Sequence, residues 1–216
     1  MRQGNGKIMA VAALAIATLS LTVGFATFSQ TLNISSTSFD VTPENAFTPN
    51  VKYVSASPAQ VSVTGSGTVT NPGTIDTDRV LWSGIVVGLS KPGDAVTLKA
   101  TVENTSSFIA YLKEMTSGSN KITCAAKAGD TGATQNVTEA CSGIKVTVQA
   151  GSDSTNVMEI TSAAAGSVAL TNHAVAATSG TEDITLKVEY LTGSAVADGD
   201  FTVTIPMISL TYKSAD

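Results

Sequence analysis

Regular alternation of apolar and polar residues runs through several segments of this chain, and it limits the possible folds more than any other feature. In residues 95–103 every second residue is apolar, and the segments 144–148 and 182–190 repeat the pattern. Because side chains of a strand point alternately to its two faces, each segment is predicted to be a β-strand with one buried face. Such strands are typical of antiparallel sheets that pack face to face.

Composition supports an all-β fold. Only 13% of the 216 residues are charged and 5% are aromatic, whereas Ser, Thr, Ala, Gly and Val are abundant. This mixture favours strands and turns over helices. We therefore predict one domain over residues 27–216 with about ten strands, arranged as an antiparallel jelly-roll (Greek-key) β-sandwich.

Three segments allow more detailed expectations. Residues 80–89 are apolar at nearly every position, which predicts a central strand covered on both faces. Residues 201–212 read as one last strand whose alternation changes phase beside Pro206, as a β-bulge would cause. The Ala-rich segment 124–128 predicts a short turn of helix.

The N-terminus has the pattern of an export signal. Arg2 and Lys7 precede an apolar run over residues 8–23, and small residues follow it. This order is typical of a secretory signal peptide, residues 1–26, with cleavage expected between Ala26 and Thr27. The alternative is an uncleaved helix that anchors the protein, since the run approaches the roughly 20 residues that span a bilayer. On either interpretation the domain is expected to lie outside the membrane, secreted or at the cell surface.

The residues after the expected cleavage site also alternate. Phe28, Leu32 and Ile34 fall on one side of the segment 27–35 together with Gln30, and polar residues fall on the other side. Strand addition between proteins uses main-chain hydrogen bonds for affinity and alternate side chains for register. We therefore predict that this segment is a donor strand, with these three residues as its anchors. The alternative is that the strand stays in the sheet of its own chain.

The two cysteines, Cys124 and Cys141, lie 17 positions apart. In an exported protein such a pair is most simply a disulfide bond. Two buried free thiols are the alternative.

The sequence offers little to enzymatic or metal chemistry. The only histidine, His173, follows a turn-forming asparagine and is predicted to be a solvated loop residue. No HExxH or GxSxG motif occurs, so we predict no catalytic residues, no metal site and no cofactor. The net charge of −5 argues against nucleic acid as a partner. Three acidic pairs match no calcium-loop spacing and are expected to be solvated: residues 76 and 78, 182 and 183, and 198 and 200.

One segment resembles a known family. Leu89 is followed by the turn Pro92-Gly93-Asp94, then by an alternating strand, and then by Asn104. This order is similar to that of the TasA/camelysin family of secreted bacterial fibre-forming proteins, which the N-terminal region and the last two strands also resemble. The resemblance implies a non-enzymatic jelly-roll subunit of an extracellular surface or biofilm-matrix filament. It further implies processing by a dedicated signal peptidase, assembly by donation of the N-terminal strand, and an accessory matrix protein as a second partner.

Two other classes stay open. A membrane-tethered adhesin or binding module would use residues 8–28 as its anchor and would contact the membrane only there. A pilin-like subunit is disfavoured, because no acidic residue stands early in the apolar run.

Overall fold

The structure, a computed structural model, describes residues 29–35, 50–54, 58–126, 136–197 and 201–214. The predicted signal segment, its cleavage site at Ala26 and Thr27, and the anchor Phe28 lie outside these ranges. Within them the chain is almost entirely β-strand, and all strand pairs but one are antiparallel. The prediction of an all-β protein with antiparallel sheets is confirmed.

Fourteen strands and one short helix, α1, make up the described residues. Their bounds are β1 Ser29–Ser35, β2 Val51–Tyr53, β3 Ala59–Thr64, β4 Thr68–Ile75, β5 Leu81–Gly88, β6 Ala95–Asn104, β7 Ala110–Thr116, β8 Thr123–Ala126, α1 Val137–Ser142, β9 Ile144–Ala150, β10 Val157–Thr161, β11 Ser167–Val175, β12 Gly180–Tyr190, β13 Phe201–Thr204 and β14 Ile208–Lys213.

The strands form two large sheets and one small one. The first sheet has the order β11-β7-β14-β1-β5-β4, and the second has the order β10-β9-β12-β6-β2, with β3 also paired to β6. Strands β8 and β13 form a separate pair. The exception to the antiparallel rule is β1, which is parallel to β5.

One hydrophobic core lies between the two large sheets. Strands β6, β9 and β12 bury every second residue, as the period-two pattern predicts. The largest fully buried side chains include Trp82 of the first sheet and Tyr53 of the second, whose rings meet edge to face. Tyr212 of β14 is also fully buried in this core.

The body has two ends, which we name after two buried polar residues. At the Asn104 end, β6, β11 and β14 finish and β2, β7 and β12 begin, as the pairings of Asn104 with Val51 and Gly180 indicate. At the Asp94 end, β3 and β12 finish and β6 and β9 begin. The loops of the two ends therefore face in opposite directions along the strands.

Three detailed expectations are wrong. Residues 201–212 form two strands in different sheets, because the chain leaves β13 and passes Pro206 before it enters β14. The segment 124–128 begins in strand β8, and the helix lies at 137–142 instead. Strand β5 is the second strand from an edge of the first sheet, and it exposes Val86.

Candidate assembly site

Strand β1 occupies an interior position in the first sheet of its own chain. It pairs antiparallel with β14 over six residues, from Ser29 opposite Lys213 to Ile34 opposite Ile208. On its other side it pairs in parallel with β5, where Ile34 lies opposite Trp82. The sheet therefore has a slot between β14 and β5, and β1 fills this slot.

The partners of the predicted anchors are buried. Leu32 is in register with Leu210, and Ile34 is in register with Ile208; both partners are fully inaccessible to solvent. By contrast Thr31, the residue before Leu32, is opposite the half-buried Thr211. The register of β1 thus sets the apolar positions of this strand against the apolar side of β14.

The first sheet is continuous only through β1. The order β14-β1-β5 includes no direct pairing between β14 and β5 among the described residues. If β1 left the slot, three strands would remain on one side and two on the other, and each part would present an unpaired edge. Unpaired edges of this kind are templates for another strand. The slot therefore requires a strand, from its own chain or from another.

The loop that carries the Pro92-Gly93-Asp94 turn is organised by the carboxylate of Asp94. One carboxylate oxygen, Oδ2, accepts hydrogen bonds from the backbone N–H of Ser90 at 2.7 Å and of Lys91 at 3.0 Å. The other, Oδ1, accepts one from the N–H of Ser66 at 2.7 Å. These amide bonds, that from Ser66 foremost, outweigh burial and lower the pKa of Asp94. The side chain joins the β3–β4 turn to the β5–β6 loop.

Two glycines make this arrangement possible. Gly93 has a φ of 96°, which L side chains rarely adopt, and its N–H donates to the carbonyl of Tyr190. Gly65 has a φ of 67°, and a Cβ at this position would lie 2.3 Å from Asp94 Oδ1. The motif turn therefore has a structural role at the Asp94 end.

Asn104 has the equivalent role at the opposite end. Its fully buried side-chain amide donates to the carbonyls of Phe108 at 2.9 Å and of Val175 and Ala176 at 3.1 Å. Its Oδ1 accepts from the N–H and the hydroxyl of Ser106. Asn104 therefore fixes the β6–β7 loop against the β11–β12 loop.

The prediction that His173 is a solvated loop residue is wrong. His173 lies in β11, where the pairing with β7 shifts register, and its side chain is only 14% exposed. Its Nε2 hydrogen-bonds to Oε1 of Glu182, and its Nδ1 meets the side-chain amide of Asn156 at 2.5 Å. The hydroxyl of Tyr212 donates to the other carboxylate oxygen of Glu182 at 3.3 Å. Within the described residues, this pair does not belong to any group of three side chains that could hold a metal ion.

Cys124 of β8 and Cys141 of α1 form a disulfide bond, with their Cα atoms 5.9 Å apart. Cys141 is buried, and it belongs to the main core. The bond therefore ties the small β8–β13 sheet to the helix and, through it, to the core.

The expectation that the acidic pairs are solvated is wrong for Glu182, whose side chain is only 8% exposed and bonds to His173 and Tyr212. Asp76 accepts hydrogen bonds from the N–H groups of Val80 and Leu81, and Asp183 pairs with Lys99 at 3.0 Å. Residues 198 and 200 lie outside the described ranges. In the described part of the chain, no three metal-binding side chains come together, and no helix is long and apolar enough to cross a membrane. The proposed anchor over residues 8–28 is outside that part.

Comparisons with protein-family models, with curated proteins and with solved structures give no match to this chain.

Proposed function

We propose that this protein is a structural subunit of an extracellular surface or biofilm-matrix filament, and that its N-terminal strand fills the β14–β5 slot of the next subunit. The observation that carries the proposal is the interior position of β1, a strand near the N-terminus whose removal would divide the first sheet. The two facing sheets and their mostly antiparallel order are also compatible with the jelly-roll sandwich that the resemblance implies.

Strand exchange suits this topology for a physical reason. A strand bound on both sides supplies main-chain hydrogen bonds to two neighbours, so the same bonds form whichever chain provides the strand. Segments near a terminus can leave their domain without breaking an internal connection. The filament subunit is not an enzyme on this proposal, and its main partner is another copy of itself.

The test uses two single-cysteine variants that are mixed before assembly. One carries Ser29→Cys and the other carries Lys213→Cys, at positions that lie opposite each other in the register of β1 and β14. Directly opposed residues of neighbouring strands have Cβ atoms about 4.5–5.5 Å apart, within reach of a thiol-specific cross-linker. Since each chain carries only one new thiol, a covalent dimer that forms in the mixture but with neither variant alone indicates that β1 of one chain lies beside β14 of another.

Covalent dimers in filaments seen by negative-stain electron microscopy would support the proposal. The assembled material could instead give no dimers, while a chain with both substitutions forms an internal cross-link. That result would show that β1 remains in the sheet of its own chain. The membrane-tethered binding module would then become the better interpretation.

A matched pair of variants gives a second test. Leu32→Asp introduces a charge opposite the buried Leu210, which costs several kcal/mol if the charge stays unpaired. Thr31→Asp introduces the same charge opposite the half-buried Thr211. We expect that Leu32→Asp abolishes filament formation and that Thr31→Asp still forms filaments.

A further inference from the structure

We infer that Gln30 is the residue that fixes the register of β1 in the β14–β5 slot, because the slot presents buried polar groups opposite this one position of the strand. The inference rests on the proposed function, and it names the residue by which a donated strand is selected. Gln30 is therefore a specificity-determining residue for the contact between two copies of this chain.

The register places Gln30 among buried partners. In β1, Gln30 stands two residues before Leu32, and their partners in β14 are Tyr212 and Leu210. Both partners are fully buried in the core. Directly opposed residues of two antiparallel strands lie on the same face of their sheet. Residue 30 therefore lies on the core face, where a polar residue needs hydrogen-bond partners.

Tyr212 brings a polar group to this part of the core. Its hydroxyl donates to Oε2 of Glu182 at 3.3 Å, and the same carboxylate hydrogen-bonds to His173. Glu182 is opposite the fully buried Val102 of β6, so it belongs to the core face of the second sheet. The hydroxyl oxygen of Tyr212 has lone pairs that can accept a hydrogen bond from a further donor.

Tyr53 of β2 supplies a second hydroxyl from the opposite sheet. It is fully buried, and it lies opposite Val102 in the same row as Glu182. Within the described ranges, its hydroxyl is the one buried side-chain nitrogen or oxygen atom without a hydrogen-bond partner. Burial foremost, and then the charges of Glu182 and Tyr53, raise the pKa of Tyr212, in agreement with hydroxyls that lie near each other. Strand β2 also lies close to β1 across the core.

An amide suits these groups because it combines donors with an acceptor. Its N–H groups match the hydroxyl oxygen of Tyr212, and its carbonyl oxygen matches the hydroxyl donor of Tyr53. An aliphatic side chain offers neither, and a carboxylate would add a negative charge close to Glu182.

The amide also distinguishes the native register from its nearest alternatives. A shift of two residues keeps the apolar side of the strand on the core face, since side chains alternate with period two. One such shift places Gln30 opposite Leu210, and the other places Leu32 opposite Tyr212. Both shifts separate the amide from the hydroxyl of Tyr212. In coiled coils a single buried polar residue specifies register in the same way, at a cost in stability.

The experiment reads the register from disulfide bonds between mixed full-length variants in assembled filaments. The donor carries Ser29→Cys. The acceptor carries either Lys213→Cys, at the native partner position, or Thr211→Cys, at the partner position after a shift of two residues. A disulfide bond needs Cα atoms within about 7 Å, so the yields with the two acceptors report the populations of the two registers.

Two donor substitutions are compared with the native strand. Gln30→Met removes the amide at similar size, and we expect it to raise the yield with Thr211→Cys, relative to Lys213→Cys, by about tenfold, the effect of one buried polar group that loses its partners. Asn33→Leu is the matched control, because it removes an amide opposite the half-buried Ser209 and should leave the ratio unchanged.

Tyr212→Phe in the acceptor tests whether Gln30 acts through the hydroxyl. This change alone should also raise the yield of the shifted register, and Gln30→Met should then add little, because the two changes remove one interaction. Melting temperatures of the separate variants check that each is folded.

The outcomes separate this inference from the proposed function. If disulfide bonds form between chains but Gln30→Met leaves the ratio unchanged, strand donation stands and the role of Gln30 is wrong. If Gln30→Met has the same effect with Tyr212 and with Tyr212→Phe, the amide does not act through the hydroxyl, and the inference is overturned. If the native-register pair links only within a chain that carries both cysteines, the proposed function is wrong and this inference falls with it.

Discussion

His173 of β11 and Glu182 of β12 join their side chains across the corner where the chain passes from the first sheet to the second. The hydrogen bond with Glu182 raises the pKa of His173 above its ordinary value against the opposing effect of burial, and the negative charges of Glu182 and Asp153 act in the same direction. Tyr212 extends the cluster to β14, which is the neighbour of β1. The imidazole therefore connects the two sheets close to the strand slot.

This pair predicts a pH-dependent stability. A group whose pKa is higher in the folded state contributes stability that is complete below its unfolded value, about 6.5, and that is lost as the pH rises through the folded value. We therefore expect the free energy of unfolding to fall as the pH rises through the folded pKa of His173. Urea unfolding of the native protein and of His173→Gln at several pH values measures how the free energy of unfolding depends on pH. Parallel pH profiles for the two proteins would contradict this assignment.

A second prediction concerns Asp94. Replacing it by alanine removes the acceptor shared by three backbone N–H groups, and a hydrogen bond to a charged group contributes about 1.5–3 kcal/mol. Asp94→Ala is therefore expected to lower the free energy of unfolding by at least 2 kcal/mol, in line with that range. Asp78→Ala, at an exposed turn position, is the control and should change it little. Equal effects of the two substitutions would show that the carboxylate of Asp94 does not organise the loop.

A third prediction concerns the disulfide bond. A bond that closes a loop of this length stabilises a fold by about 3 kcal/mol in the chain-entropy model. Reduction of the native protein should lower its melting temperature, and the double variant Cys124→Ser, Cys141→Ser should unfold at the same lower temperature. Mass spectrometry of unreduced peptides should find the two cysteines linked. Two alkylatable thiols in the native protein would contradict the pairing.

The sequence predicts the regular part of the fold well because period two is a local property. The predicted strands 95–103, 144–148 and 182–190 correspond to β6, β9 and β12, with ends that differ by at most two residues. The same reasoning fails where the chain changes sheet. Alternation alone cannot distinguish a bulge at Pro206 from a strand that ends there and another that starts in a different sheet.

The side chains that connect distant segments are also beyond a local pattern. Asp94 is recognisable as a turn residue, but its acceptor role towards Ser66 depends on a hairpin 28 residues earlier. His173 follows an asparagine that suggests a loop, yet the chain forms an irregular strand there, and Glu182 approaches only because two sheets meet. A histidine followed nine residues later by a glutamate carries no periodic signal. Such pairs become visible only with the packing of the sheets.

The last prediction concerns a chain without its leading strand. Deletion of residues 27–35 exposes the edges of β14 and β5 and the buried surface beside Leu210 and Trp82, so the truncated protein should unfold at a lower temperature and associate irregularly. A synthetic peptide of residues 27–35 should restore stability in a saturable way, by about 2.7 kcal/mol at one hundred times its dissociation constant.

A control peptide with Leu32→Asp and Ile34→Asp tests whether register anchors are needed, because any sequence could supply main-chain hydrogen bonds alone. We expect no rescue by this peptide at concentrations where the native peptide saturates. Equal rescue by both peptides would show that the slot binds backbone without selecting side chains. Donation between subunits would then lack the register that an ordered filament requires, since a slip of one residue turns every side chain of the strand to the other face.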